Sequence, residues 1–323
     1  MNKKILGTGY FTRNIREFGI IVAFIIILVS LMIISPSAFA SPRNLVGIVR
    51  QAAINGILAC GMMFVIISNG IDLSVGSTVA LSGVIAAHFA HPDSYPLIVP
   101  IVLALLIGSI VGVINGVGVA YGNIPPFIIT LATMTAVRGV ALIVSGGSPV
   151  FGLSDAFKGI ASGTIGNTIL PVLAVYFLFV LLLSGFILTK TVFGRRIYAI
   201  GGNESAAAVS GINVKRMRVV IYAISGTLAG FAGFLLASRT YQGSPTAGQS
   251  YELDAIAAVI IGGISMSGGS GKWYGTLIGA LLLAVLANGL DILNVSSNYQ
   301  MIIKGCIITL AVLVDINSKK KQA

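Results

Sequence analysis

The chain has 323 residues, 56% of them hydrophobic and only 9% charged, with a mean hydropathy of +0.99. A water-soluble globule needs a polar skin, with roughly 25% of its residues charged, so this composition excludes a soluble domain and points to lipid. Net charge is +11, but Lys and Arg cluster between apolar runs and are not interleaved with aromatics on one face, which excludes a nucleic-acid partner and fits basic loops retained in the cytoplasm.

A helix needs about 20 apolar residues to cross a hydrocarbon core of about 30 Å. Runs of suitable character fall in chain order at 18–34, 44–68, 73–90, 96–121, 127–145, 168–188, 217–238, 253–264, 273–293 and 299–315. They predict an all-α integral membrane protein with about ten transmembrane helices, read as a single domain over 1–323. The first run, with the basic stretch before it and SAFAS at 37–41, also imitates a signal peptide with an A-x-A cleavage site. Cleavage would leave nine helices and the same topology downstream.

Between the second and third runs lies IISNGIDLSVGS, 66–77. Its Asp72 is read as a helix cap accepting the backbone N–H of Ser74 or Val75, or as a contact for a partner at the cytoplasmic face. His88 and His91 end the third run without a supporting ligand cluster, so no metal site is expected there. In the fifth run Arg138 is an intramembrane charge. It is read as a pore or bundle-interior group paired with Gln51, Asn55 or Asn115, or as a structural Arg tying down carbonyls.

The longest inner loop, TKTVFGRRIYAIGGNESAAAVSGINVKRMR, contains the grammar of a short helix. Gly201 and Gly202 lead in, Asn203 serves as N-cap, Glu204 sits in the first turn, Ser205, Ala206 and Ala207 begin the body, and Gly211 is the stop. Two turns are not stable alone, so this helix is expected to pack on a partner. Glu252 and Asp254, at the start of the eighth run, are read as first-turn charges or as a docking point for an external protein. GGSGKWYG at 268–275 is no phosphate loop, because Met266 stands where the first Gly belongs and Trp273 where Ser or Thr belongs. Cys60 and Cys306 lie in apolar runs as small core residues.

Orientation follows from the basic residues. With the N-terminus inside, Lys3, Lys4, Arg13, Arg16, Lys190, Arg195, Arg196, Lys215, Arg216, Arg218, Lys272, Lys319, Lys320 and Lys321 are cytoplasmic. Arg43, Arg50, Lys158 and Arg239 are outside, and both termini are cytoplasmic. A span, a linker with a carboxylate and a second span occur at 44–90 and again at 217–264, which is the pattern of a five-plus-five inverted repeat.

GIDLSVGS (70–77), FGRRIYAIGGNESAAAVSGINV (193–214), SPTAGQSYELDAIAAVIIGG (244–263), GTLIGALLL (275–283) and NYQMIIKG (298–305), in this order, resemble the ribose-type permease subunits of bacterial ATP-binding-cassette sugar importers. The resemblance covers about 18–316. It implies a homodimeric pore in the bacterial inner membrane, a cytoplasmic ATPase that binds ATP and Mg, and an extracytoplasmic sugar-binding protein. This chain would carry no cofactor or metal of its own and catalyse nothing. It also implies that 189–217 is the coupling loop, with Gly201–Gly211 as its coupling helix. Members of the family carry ribose, xylose, allose, galactose or autoinducer-2. A secondary transporter or channel is the reading from another class.

Overall fold

The computed structural model describes residue 22 and residues 24–92, 95–166 and 168–320, and among these it is helical without a named strand. The basic N-terminal stretch and Asp93 lie outside the described residues. The helices are α1 (Phe24–Ile34), α2 (Pro36–Phe39), α3 (Pro42–Ile67), α4 (Val75–His88), α5 (Ile98–Ala120), α6 (Pro126–Val144) and α7 (Asp155–Ser162). They continue as α8 (Val172–Lys190), α9 (Val192–Gly202), α10 (Glu204–Val209), α11 (Val214–Thr240), α12 (Tyr251–Ile261), α13 (Trp273–Ile292) and α14 (Ser297–Lys320). Each expected run coincides with a helix to within a few residues, apart from the part of the first that lies outside the described residues. Among the described residues, six helices, α3, α5, α6, α8, α11 and α13, are long and apolar enough to cross a bilayer.

The centre of the bundle is α3, whose residues from Ala52 to Ile67 are almost all buried, with α11 and α13 packed against it. α5 and α11 touch backbone to backbone. A Cβ at Gly108 would strike the Gly226 carbonyl, one at Gly112 that of Tyr222, and one at Gly116 the backbone of Val219. Lipid tails are as apolar as leucine, so helices in a membrane gain by such close van der Waals approach, and small residues permit it. By contrast, α6 and α8 present exposed Phe, Leu, Ile and Val along their length, as lipid-facing helices do.

The loops gather at two ends. At one end, Gly269 N donates to Ile67 O (2.9 Å), Tyr198 Oη donates to Gly271 O (3.0 Å), and Lys215 lies 5.5 Å over the Tyr121 ring. At the other, His88 Nε2 donates to Val144 O (3.1 Å), Ser154 N to Ala90 O (2.8 Å) and Arg50 Nη2 to Ser162 O (3.0 Å). These two groups of loops are the ones that the charge pattern places inside and outside respectively. α7 belongs to the second end. Ser154 caps it by accepting from Phe157 N, and the fully buried Phe157, worth about 2 kcal/mol, seats it on α11.

α4 and α12 are half-length, 14 and 11 residues. Each follows a long helix through non-helical chain, and their first turns meet where Gly76 packs against Gly248 and Glu252.

Candidate functional site

The loop 189–217 contains two helices, where the sequence grammar showed one. Thr191 caps α9 by accepting from Gly194 N (3.1 Å), and Ile197, Ile200 and Gly201 form its buried face. Phe193, Ile197 and Ile200, spaced as one helical face, were the signal for it. At its end, Gly201 is jammed against the Ile67 carbonyl and Gly269 N, leaving no room for a side chain. Gly202 follows and its Cα lies against Gly269.

The chain then breaks at Asn203, whose Oδ1 accepts from Ala206 N (2.9 Å) and starts α10 as its N-cap. Glu204 is in the first turn and pairs with Arg218 on α11. Ser205, Ala206 and Ala207 begin the body, and only Ala207 is buried. At the C-terminus Gly211 adopts φ +84°, and Ile212 N returns to Ala207 O (3.1 Å), a glycine-terminated cap. Val209 is 90% exposed at the tip, an apolar residue with nothing over it. A groove of about 380 Å³ runs beside α10, lined by Ala120, Asn123, Glu204, Ala208, Lys215 and Arg218 among others. Burial raises the Tyr198 phenol above its ordinary value of about 10, so its bond to Gly271 persists at any physiological pH.

Asp72 keeps the bond expected of it, since its Oδ1 accepts from Ser74 N (3.0 Å) and Ser74 Oγ (2.6 Å). The partner-contact reading is corrected: Asp72 is fully buried, with Ser225 Oγ of α11 donating to Oδ2 (2.9 Å) and Asn115 Nδ2 of α5 lying 3.4 Å from Oδ1. Ser225 is seven residues above Arg218 on α11, so the carboxylate lies about 10 Å inside the bundle from that level. The sequence places Asp72 near an end because the helix stops there. It cannot reveal that α4 starts well inside the bundle.

Arg138 pairs with none of the three amides named for it. Its Nη1 donates to Pro245 O (2.6 Å) and Ala247 O (2.8 Å), which is the carbonyl-tying alternative. Gln51 is half-buried on α3. Asn115 Nδ2 is taken up by Ser74 Oγ (2.8 Å), and Asn55 Nδ2 reaches Asp254 Oδ2 (3.4 Å). The docking reading of Asp254 is corrected in turn, because the residue is buried and ion-paired with Lys304 of α14 at 3.0 Å. That pair was missed, since fifty residues separate its members and no spacing rule links them. Glu252 is half-buried, beside Gly76 and in the field of Arg138. Asp315, another missed residue, accepts from Ser265 Oγ (3.0 Å) and Met266 N (3.1 Å), and so ties α14 to the loop beside Gly201.

The chain as a whole has counterparts among known proteins. Residues 44–312 match the model of the family described as branched-chain amino acid transport system / permease component. The chain belongs to this permease family. Among curated relatives, it is 46% identical to a ribose import permease protein of Bacillus subtilis, covering 97% of this chain and 96% of that one. It is 42% identical to the ribose import permease protein of Escherichia coli K12, with 98% of each covered. It is 37% identical to a xylose transport system permease protein of Haemophilus influenzae, covering 96% of this chain and 98% of the relative. No solved structure matches it. In this permease family, then, the elements described above belong to a membrane-embedded transport subunit with several apolar helices.

Proposed function

We propose that the chain is the pore-forming subunit of an ATP-driven monosaccharide importer, of which ribose is the first candidate cargo, and that α10 is where a separate ATPase delivers its work. The observation that carries this is α10 itself, a helix of six residues with a complete N-cap and C-cap, an exposed apolar tip at Val209 and a charged flank of Glu204, Lys215 and Arg218. An isolated helix of that length is unstable, so its caps and its mounting on α9 and α11 preform a surface for a partner. The relatives named for ribose and xylose import, at 37 to 46% identity over nearly their whole length, support the cargo class.

The full reading has the chain as one transmembrane domain with a coupling loop at 189–217, working as a homodimer in a bacterial inner membrane. Both termini are cytoplasmic, the ATPase below binds ATP and Mg, and a sugar-binding protein delivers cargo from outside. Ten helices enter the bilayer in this reading, in two inverted sets of five. The repeat is supported by a reciprocal contact: Asp72, between α3 and α4, is bonded by Ser225 of α11, and Asp254, at the start of α12, is bonded by Asn55 of α3. Two half-helices starting inside the bundle are also what inverted repeats build at a transport path.

The buried carboxylates Asp72 and Asp254 favour a second reading, a secondary transporter driven by an ion gradient. Reconstitution separates the two. Vesicles holding this chain, its ATPase and its binding protein should accumulate radiolabelled ribose only with ATP, and not when a proton or sodium gradient is imposed instead. Accumulation driven by a gradient without the ATPase would refute the first reading.

A further inference from the structure

The chain between α11 and α12 leaves helical geometry over 241–250, and three helices measure how deep it goes. Gly243 packs against Gly83, Val84 and Ala87 of α4, whereas Gly248 packs against Gly76 and Val79, so the segment descends along α4 as α4 rises. Val79 also lies against Gly233, seven residues before the end of α11, which puts this level about 10 Å below that end. Arg138, which holds the carbonyls of Pro245 and Ala247, is six residues before the end of α6, about 9 Å by the same rise. The rulers agree that the segment re-enters a hydrocarbon layer about 30 Å thick.

Irregular backbone at such depth is tolerated only where protein covers it or water fills the space beside it, because lipid tails cannot satisfy its polar groups. One side of the segment, Gly243, Pro245 and Gly248, is buried. The other side leaves Thr246 and Gln249 exposed and Ser244 half-buried, with Ser244 Oγ 3.0 Å from Thr246 Oγ1. Hydroxyls and a carboxamide turned toward lipid would forfeit the hydrogen bonds that water gives them, which lipid tails cannot replace. The nearby charge is already engaged, since Arg138 is occupied by two carbonyls and has Glu252 as its electrostatic counterpart.

We propose that Ser244, Thr246 and Gln249 line the water-filled path of the cargo and present uncharged groups, each able to donate and accept, to the hydroxyls of a neutral sugar. This rests on the importer reading and adds the side chains that meet the cargo. It also moves the polar path away from Asn55 and Asn115, which are buried and whose Nδ2 groups donate to Asp254 and to the Asp72–Ser74 pair.

The test is thiol labelling of the assembled importer in right-side-out vesicles. Cys306, the exposed native cysteine, is replaced by Ser, and Cys60, which is buried, is retained. Thr246→Cys and Gln249→Cys are compared with Phe179→Cys on the apolar face of α8, using a charged, membrane-impermeant methanethiosulfonate. The first two should be modified, ribose with its binding protein should slow that modification, and modification should abolish uptake, while Phe179→Cys stays unreacted. The proposal is overturned if Thr246→Cys and Gln249→Cys remain as unreactive as Phe179→Cys in vesicles that still take up ribose. It is equally overturned if they react with no effect of sugar and no loss of uptake. Failure of the parent protein to drive ATP-dependent uptake would instead count against the importer reading.

Discussion

Lys304 and Asp254 show how much a membrane interior demands of one pair of side chains. Their 3.0 Å contact joins α14 to α12 away from bulk water, and the other residues of α14 from 297 to 313 are exposed or half-buried. Removing one member strands the other as an unpaired buried charge, so Lys304→Met should cost about 3 to 5 kcal/mol and lower the melting temperature of the detergent-purified protein. The double variant Asp254→Asn with Lys304→Met should recover most of that loss, and a double variant no better than the single one would deny the pairing. Asp72 makes a similar case with hydrogen bonds. Asp72→Ala orphans the Ser225 hydroxyl and the Ser74 N–H and hydroxyl, and at about 1 kcal/mol or more per orphaned group it should be far more damaging than Asp72→Asn, which thermal unfolding would measure. The sequence marks these residues as unusual because acids are scarce in the chain. Their partners lie 50 and 153 residues away, and that pairing is a product of packing alone.

At the scale of elements, α10 was legible because its determinants are local: an Asn that caps, an alanine body and a Gly at positive φ. Asn203→Ala should therefore weaken the peg by about 1 kcal/mol, and Gly211→Ala, forced into the left-handed region, by a similar amount. Both should lower ribose-stimulated ATPase activity in the reconstituted importer while leaving membrane insertion unchanged, and unaltered stimulation would remove α10 from the coupling path. Gly201→Leu should be more severe, because the side chain would have to displace the Ile67 carbonyl and the loop at Gly269. The start of α12 was less legible. Hydrophobicity marks 253–264 as a span, but the re-entrant chain before it reads as an ordinary polar loop, since SPTAGQS carries turn residues whatever its depth. Only the packing of Gly243 and Gly248 along α4 gives the depth.

For the whole molecule, composition settles the solvent and apolar periodicity finds the helices, because both follow from the bilayer acting on every residue alike. Which loops share an end was also readable, as basic residues fall at the end that carries α9, α10 and the loop 262–272. What could not be read was the arrangement of the interior, where α3 is central, α6 and α8 peripheral, and two half-helices meet at Gly76 and Gly248. The account turns on the tip of α10 meeting a nucleotide-hydrolysing partner on the cytoplasmic side. A bifunctional crosslinker on Val209→Cys, applied to the assembled transporter, tests it most directly. The account predicts a product with the ATPase, formed in inside-out membranes and competed by a cytoplasmic thiol reagent. Labelling of Val209→Cys only from the outside, or an assembled complex in which it reaches no ATPase, would contradict it.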